Sequence, residues 1–209
     1  MKSYLLLLLA CMLSCQVFAQ DNDEKKVYFG VRGGANIANL TKSHGDARTD
    51  VYVGGFFNLR ATEVYNIQFE LDYSRQGANN VLERTSVGNK PYSKYYTTDI
   101  DVSYVNLKVI NKFQMNEVNF LIGGGIGGLL NGDKEKYNNI DFLFVLGVGY
   151  DITKNIGVEA RWQHGLYTIN KTYSKVYDQF TGPNEVEYSY YYENNIRNNV
   201  FQLGVYYKF

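Results

Sequence analysis

The sequence predicts an all-β protein, an eight-stranded antiparallel up-and-down β-barrel that crosses a membrane with its strands. Three observations predict it. The last ten residues alternate Phe201, Leu203, Val205, Tyr207 and Phe209 with Val200, Gln202, Gly204, Tyr206 and Lys208, so one face of that strand is lipophilic, and the chain ends on an aromatic ring. The composition holds 20 Tyr and 20 Gly but only 2 Pro, which suits many uninterrupted strands. The longest weakly polar stretch after the N-terminal segment, residues 120–130, is broken by five glycines and is too short for a spanning helix. A membrane protein without such helices must close its backbone hydrogen bonds in a barrel.

Residues 1–19 read as a secretory signal peptide, with Lys2, an apolar run and Val17-Phe18-Ala19 before the cleavage point. A short periplasmic lead over residues 20–26 follows, then a barrel domain over 27–209. Both cysteines, Cys11 and Cys15, fall inside the signal, so the mature barrel is expected to hold no disulfide. Leu8-Leu9-Ala10-Cys11 also fits a lipoprotein signal, which would leave a lipidated Cys11 at the mature N-terminus. Charge is near neutral, with 21 Lys plus Arg against 21 Asp plus Glu, which argues against a nucleic-acid partner.

Strand one is expected over residues 27–37, with Phe29 and Val31 facing out and Tyr28, Arg32 and Asn36 facing in. The second, over 51–61, turns Val53, Phe57 and Leu59 out and Asn58 and Arg60 in. In the third, Ile67, Phe69, Leu71 and Tyr73 alternate with Gln68, Glu70, Asp72 and Ser74. A soluble core strand would not carry that polar face. Strand four turns Val105, Leu107 and Val109 out and Tyr104, Asn106 and Lys108 in, while apolar Ile100 and Val102 sit on the polar parity; a bulge near Ser103 would bring them outward. The fifth, over 118–130, is glycine-rich. Strand six sets Phe142, Phe144, Leu146 and Val148 against Asp141, Gly147 and Gly149, and strand seven sets Val158, Ala160 and Trp162 against Glu159, Arg161 and Gln163.

Connections alternate in length. Short ones at 62–66, 114–117 and 151–155 belong to the periplasmic side, and longer ones at 38–50, 76–99, 131–139 and 168–197 face outward, so both termini are periplasmic. Phe113, Tyr150, Tyr207 and Phe209 then form a periplasmic aromatic girdle, and Tyr207 and Phe209 carry the signal for insertion.

These residues resemble the small outer-membrane β-barrel domain family of Bacteroidetes type, called porin-like or PorT-like. The matching stretches are Ile67-Gln68-Phe69-Glu70-Leu71-Asp72-Tyr73-Ser74 with Gly77, Val158-Glu159-Ala160-Arg161-Trp162 with Gly165-Leu166, and the Tyr207-Lys208-Phe209 ending. The resemblance implies an eight-stranded barrel in the outer membrane and supplies no catalytic residues. Outer-membrane lipid, lipopolysaccharide and, during insertion, the barrel-assembly machinery are the expected partners of a chain expected to be a monomer.

The inward positions collect Arg32, Arg60, Lys108 and Arg161 against Glu70, Asp72, Asp141 and Glu159. Eight strands leave an interior that side chains can fill, so these charges are expected to pack as a balanced network that plugs the lumen. A narrow channel for small solutes lined by the same groups is the alternative. Gly123-x-Gly125-x-x-Gly128 spells a dinucleotide fingerprint, but Asn131-Gly132-Asp133-Lys134 follows it as a turn where a helix would be needed, so no cofactor is expected. Of two histidines, His44 and His164, the second lies near the outer end of strand seven; a rim or lumen hydrogen-bonding role is expected, and a rim enzyme using it is the remaining alternative. Two histidines make no metal signature. In the last outer loop Tyr173, Tyr177, Tyr188, Tyr190, Tyr191 and Tyr192 flank Thr181-Gly182-Pro183-Asn184, which predicts a stiff hairpin, to be read either as a stable ribbon near lipopolysaccharide with no protein partner or as a surface for an extracellular ligand or protein.

Overall fold

The computed structural model describes residues 27–43, 45–86, 93–134, 136–169 and 196–209. Eight strands run β1 (Val27–Leu40), β2 (Asp46–Arg60), β3 (Tyr65–Ser86), β4 (Ser93–Met115), β5 (Val118–Asn131), β6 (Ile140–Asp151), β7 (Ile156–Gly165) and β8 (Asn198–Lys208). Each pairs antiparallel with its neighbours in sequence, and β1 pairs with β8 to close the barrel. Closure leaves no sheet edge across the membrane band, which the absence of water there requires.

The period-two patterns set the facing. Val31, Phe69, Leu107, Ile122, Leu146, Val158, Phe201 and Leu203 point outward and are exposed, while Arg32, Glu70, Lys108, Glu159 and Gln202 point inward and are buried. Residues 61–64, 116–117 and 152–155 connect strands at one end. Asn116 adopts a left-handed φ of 55° in the two-residue turn, a conformation asparagine tolerates. Phe113, Tyr150, Tyr207 and Phe209 are exposed at this end; Tyr65 packs on Phe113 and Tyr207 on Phe209, each with ring centroids 5.3 Å apart.

The opposite end departs from the sequence expectation. In place of a loop over residues 76–99, β3 and β4 continue as a paired ribbon up to Ser86↔Ser93. Gly77, at φ 138°, lets β3 pass close to its partner: a Cβ there would lie 1.8 Å from the Ile100 carbonyl oxygen. A register shift between Ala78 and Val81, with Asn80 at φ 52°, bends the ribbon beyond it.

No bulge brings Ile100 and Val102 outward. Pairing of β3 with β4 is regular from Tyr65↔Phe113 to Ala78↔Ile100, and the shift at Ser103 lies on the β4–β5 side, where it leaves their parity unchanged. Both side chains stay inside, 3% and 0% exposed, because an apolar cluster of Leu40, Ala78, Val81, Tyr104, Leu129, Tyr137 and Ile169 receives them. This cluster caps the interior at the long-loop end.

Candidate functional site

Three levels fill the interior. At the short-turn end Tyr28, Phe56 and Tyr206 form a chain of edge-to-face aromatic contacts, each step 6.4 Å between centroids. Above them lies a layer of charges, and above that the apolar cap. The β4–β6 wall contributes a small apolar group of Ile110, Leu121 and Val145, so the charged groups come from β1, β3, β4 and β7.

Glu70 on β3 is the hub. Its carboxylate accepts from the Arg32 guanidinium at 2.6 Å and from Arg161 Nη1 at 2.7 and 2.9 Å, with Lys108 Nζ at 3.4 Å. Gln68 Nε2 donates a further bond at 2.6 Å. Glu159 faces it across the lumen and accepts from Arg32 Nε at 2.8 Å, Arg161 Nε at 3.0 Å and the Tyr52 hydroxyl at 3.2 Å. Asp72 pairs with Lys108 and accepts from Asn106 Nδ2 at 2.8 Å. Three cations and three anions thus tie β1, β3, β4 and β7 together, with every one of these side chains at most 2% exposed. Arg32 extends the net through Gln202 and Asn36 to Ser74.

Glycine makes room for these long side chains. Lys108 lies over Gly125, its cross-strand partner, and Arg161 over Gly147; a Cβ at either glycine would lie under 3.0 Å from the side chain opposite. The letters of the dinucleotide fingerprint therefore do spatial work: Gly123 and Gly125 lie under Ile110 and Lys108, and Gly128 faces out.

Two expected members lie apart from the cluster. Arg60 is the last residue of β2, half-buried at the short-turn mouth beside Glu63 and Gln114. Asp141 is buried at the opposite end, where it accepts from the Tyr167 backbone N–H at 3.3 Å and from Asn198 Nδ2 at 3.5 Å. Lys112 is an addition: it shares the inward parity of Lys108 and is 4% exposed. The same alternation that marks Lys108 would have found it, two strand repeats closer to the mouth.

His164 lies one residue from the outer end of β7 and does not enter the lumen. It faces outward on β7 and stacks on Trp162, centroids 5.5 Å apart, and Trp162 packs edge-on against Phe144. The parity of β7 puts it on the face of Val158, Ala160 and Trp162, opposite the lumen. His44 and the loop tyrosines Tyr173, Tyr177, Tyr188, Tyr190, Tyr191 and Tyr192 lie outside the described residues, as do the expected signal segment and lead. Among the described residues no group of three His, Cys, Asp or Glu side chains could hold a metal ion.

On the outer surface Arg48, Asp50, Arg75 and Asp101 form a half-exposed ring of pairs, with Arg48–Asp101 at 2.9 Å and Arg75–Asp101 at 2.8 Å. It sits where β2, β3 and β4 pass from the apolar band to the ribbon.

A family model described as outer membrane protein beta-barrel domain matches residues 5–209. Among solved structures, Neisserial surface protein A is 15% identical, with 88% of this chain and 98% of that chain covered and a TM-score of 0.49. Ail, the attachment invasion locus protein of Yersinia pestis, in complex with the heparin analogue sucrose octasulfate, is 14% identical over 88% of this chain and 99% of that chain, with a TM-score of 0.47. No curated protein matches the chain.

Proposed function

The chain belongs to the outer membrane protein beta-barrel domain family and is an integral protein of the outer membrane, and from that premise we propose that it is a plugged barrel with a structural or surface-binding role. One observation carries the reading: the buried Arg32–Glu70–Arg161–Glu159 pairs cross the lumen, and the apolar cap closes it above them. Hydrated ions or solutes would have to break several pairs together and then pass an apolar constriction.

Work at the outer face follows from that closure. The ribbon of β3 and β4 and the Arg48–Asp101 ring supply the outward surface, with lipopolysaccharide around it and an extracellular ligand or protein above it. Closure of the barrel within one chain supports a monomer. The test is liposome swelling with the purified, refolded protein: small sugars and amino acids are expected to enter no faster than into empty vesicles. Uptake that scales with protein content would favour the narrow channel.

The terminal strand gives a second expected outcome. Phe209 donates its backbone N–H to the Phe29 carbonyl at 2.9 Å and so pins the last residue to β1. Deleting Phe209, or changing Tyr207 and Phe209 together to Ser, is expected to remove most of the heat-modifiable barrel from outer-membrane fractions. Undiminished levels would contradict an insertion role for these rings.

A further inference from the structure

We propose that the lumen holds a single halide ion, bound by Lys112 in the chamber between the aromatic floor and the charged plug. Lys112 points inward from β4 and is 4% exposed. Unlike the other buried cations, it has no carboxylate within ion-pair distance among the described residues; its recorded partner is the ring of Tyr206, 5.2 Å from Nζ. Arg32, Lys108 and Arg161 already saturate Glu70, Asp72 and Glu159. Asp151, the next carboxylate toward the mouth, takes Lys208 at 2.8 Å and the Tyr206 hydroxyl. Asp141 is at the far end, beyond the plug. The chamber and the plug above it therefore carry one positive charge in excess, and a buried unpaired ammonium is strongly disfavoured.

Size selects the counter-ion. The cavity beside Lys112 is about 10 Å3, lined by Phe56, Gln68, Asn119, Leu121, Arg161 and Tyr206 among others. That is room for one water-sized occupant. Sulfate, phosphate and carboxylate are too large, and a water molecule fits but leaves the charge uncompensated. Glu159 also borders the cavity, but its oxygens are turned to Arg32, Arg161 and Tyr52, which shield an anion from them. Lys112 and Arg161, which both line the cavity, then give it a cationic side for a monatomic anion, chloride in ordinary salt.

The experiment uses the refolded full-length protein in micelles, with thermal unfolding followed in sodium chloride, bromide and gluconate at one ionic strength. Chloride and bromide are expected to raise the Tm by about 3 °C per tenfold concentration above the dissociation constant. Gluconate is expected to leave it flat, and Lys112→Met to abolish the difference. Crystals grown in bromide are expected to show an anomalous peak within hydrogen-bonding distance of Lys112 Nζ, a result that needs no variant to fold. Identical melting in the three salts, or no bromide peak in the chamber, would overturn the proposal and leave water as the occupant. Solute uptake by liposomes bears on the plug alone, so the two readings fail separately.

Discussion

Replacing Glu70 by alanine is expected to destabilise the folded barrel by about 3–5 kcal/mol, the cost of stranding buried charge by removing one partner. The carboxylate serves Arg32, Arg161 and Lys108 at once, at 2.6, 2.7 and 3.4 Å. Asp72 and Glu159 would remain to balance three cations in a space closed to bulk water. Urea unfolding in micelles measures the effect. Arg75→Ala is the control, since Arg75 pairs with Asp101 at 2.8 Å but is half exposed, and solvent screens what it loses. Equal midpoints for the two variants would show that the lumen pairs contribute no more than surface ones.

Gly204→Val is expected to destabilise the barrel for the opposite reason, excess volume. Gly204 faces inward on β8, opposite Glu159 on β7 and Gly34 on β1. A Cβ there would lie 2.0 Å from the Tyr52 hydroxyl and 2.6 Å from the Gly33 carbonyl oxygen. Tyr52 could swing away only by releasing its bond to Glu159, and the backbone oxygen cannot move without parting β1 from β8. Overpacking of this kind costs about 1–3 kcal/mol or more. The expected readout is a loss of the heat-modifiable species on refolding, with unfolded protein in its place. A variant that refolds to normal yield would show that the β1–β8 seam has slack.

The strands were legible because lipid outside and packed side chains inside impose the same period of two on every one of them. Arg32, Glu70, Asp72, Lys108, Glu159 and Arg161 fell on the inward parity, and parity alone places a side chain in the lumen. Height along the lumen is another matter. Arg60 and Asp141 share that parity but sit at opposite ends, and strand stagger, which no single strand records, decides their depth. For His164 the sequence placed the height, near the outer end of β7, but left rim and lumen both open; the parity of β7 turns its even positions out, and an aromatic stack accommodates the imidazole there. Ile100 and Val102 misled. Apolar residues on an inward face signal a bulge only if the interior is polar throughout, and here the long-loop end of the lumen is apolar. The continuation of β3 and β4 was hidden because Asn79, Asn80 and Asp99 read as loop; they fall in the register shift, where the Asn80 backbone N–H donates to the Asp99 carboxylate at 2.9 Å, and strand pairing resumes beyond them at Val81↔Thr98.

Single-channel recording in planar bilayers tests the plugged lumen most directly. With the unmodified protein inserted from one side in molar potassium chloride, the account predicts a baseline without stable open levels across the tolerated voltage range. Long-lived, uniform conductance steps from that protein would contradict it, and would make the Arg32–Glu70–Arg161–Glu159 cluster the lining of a pore.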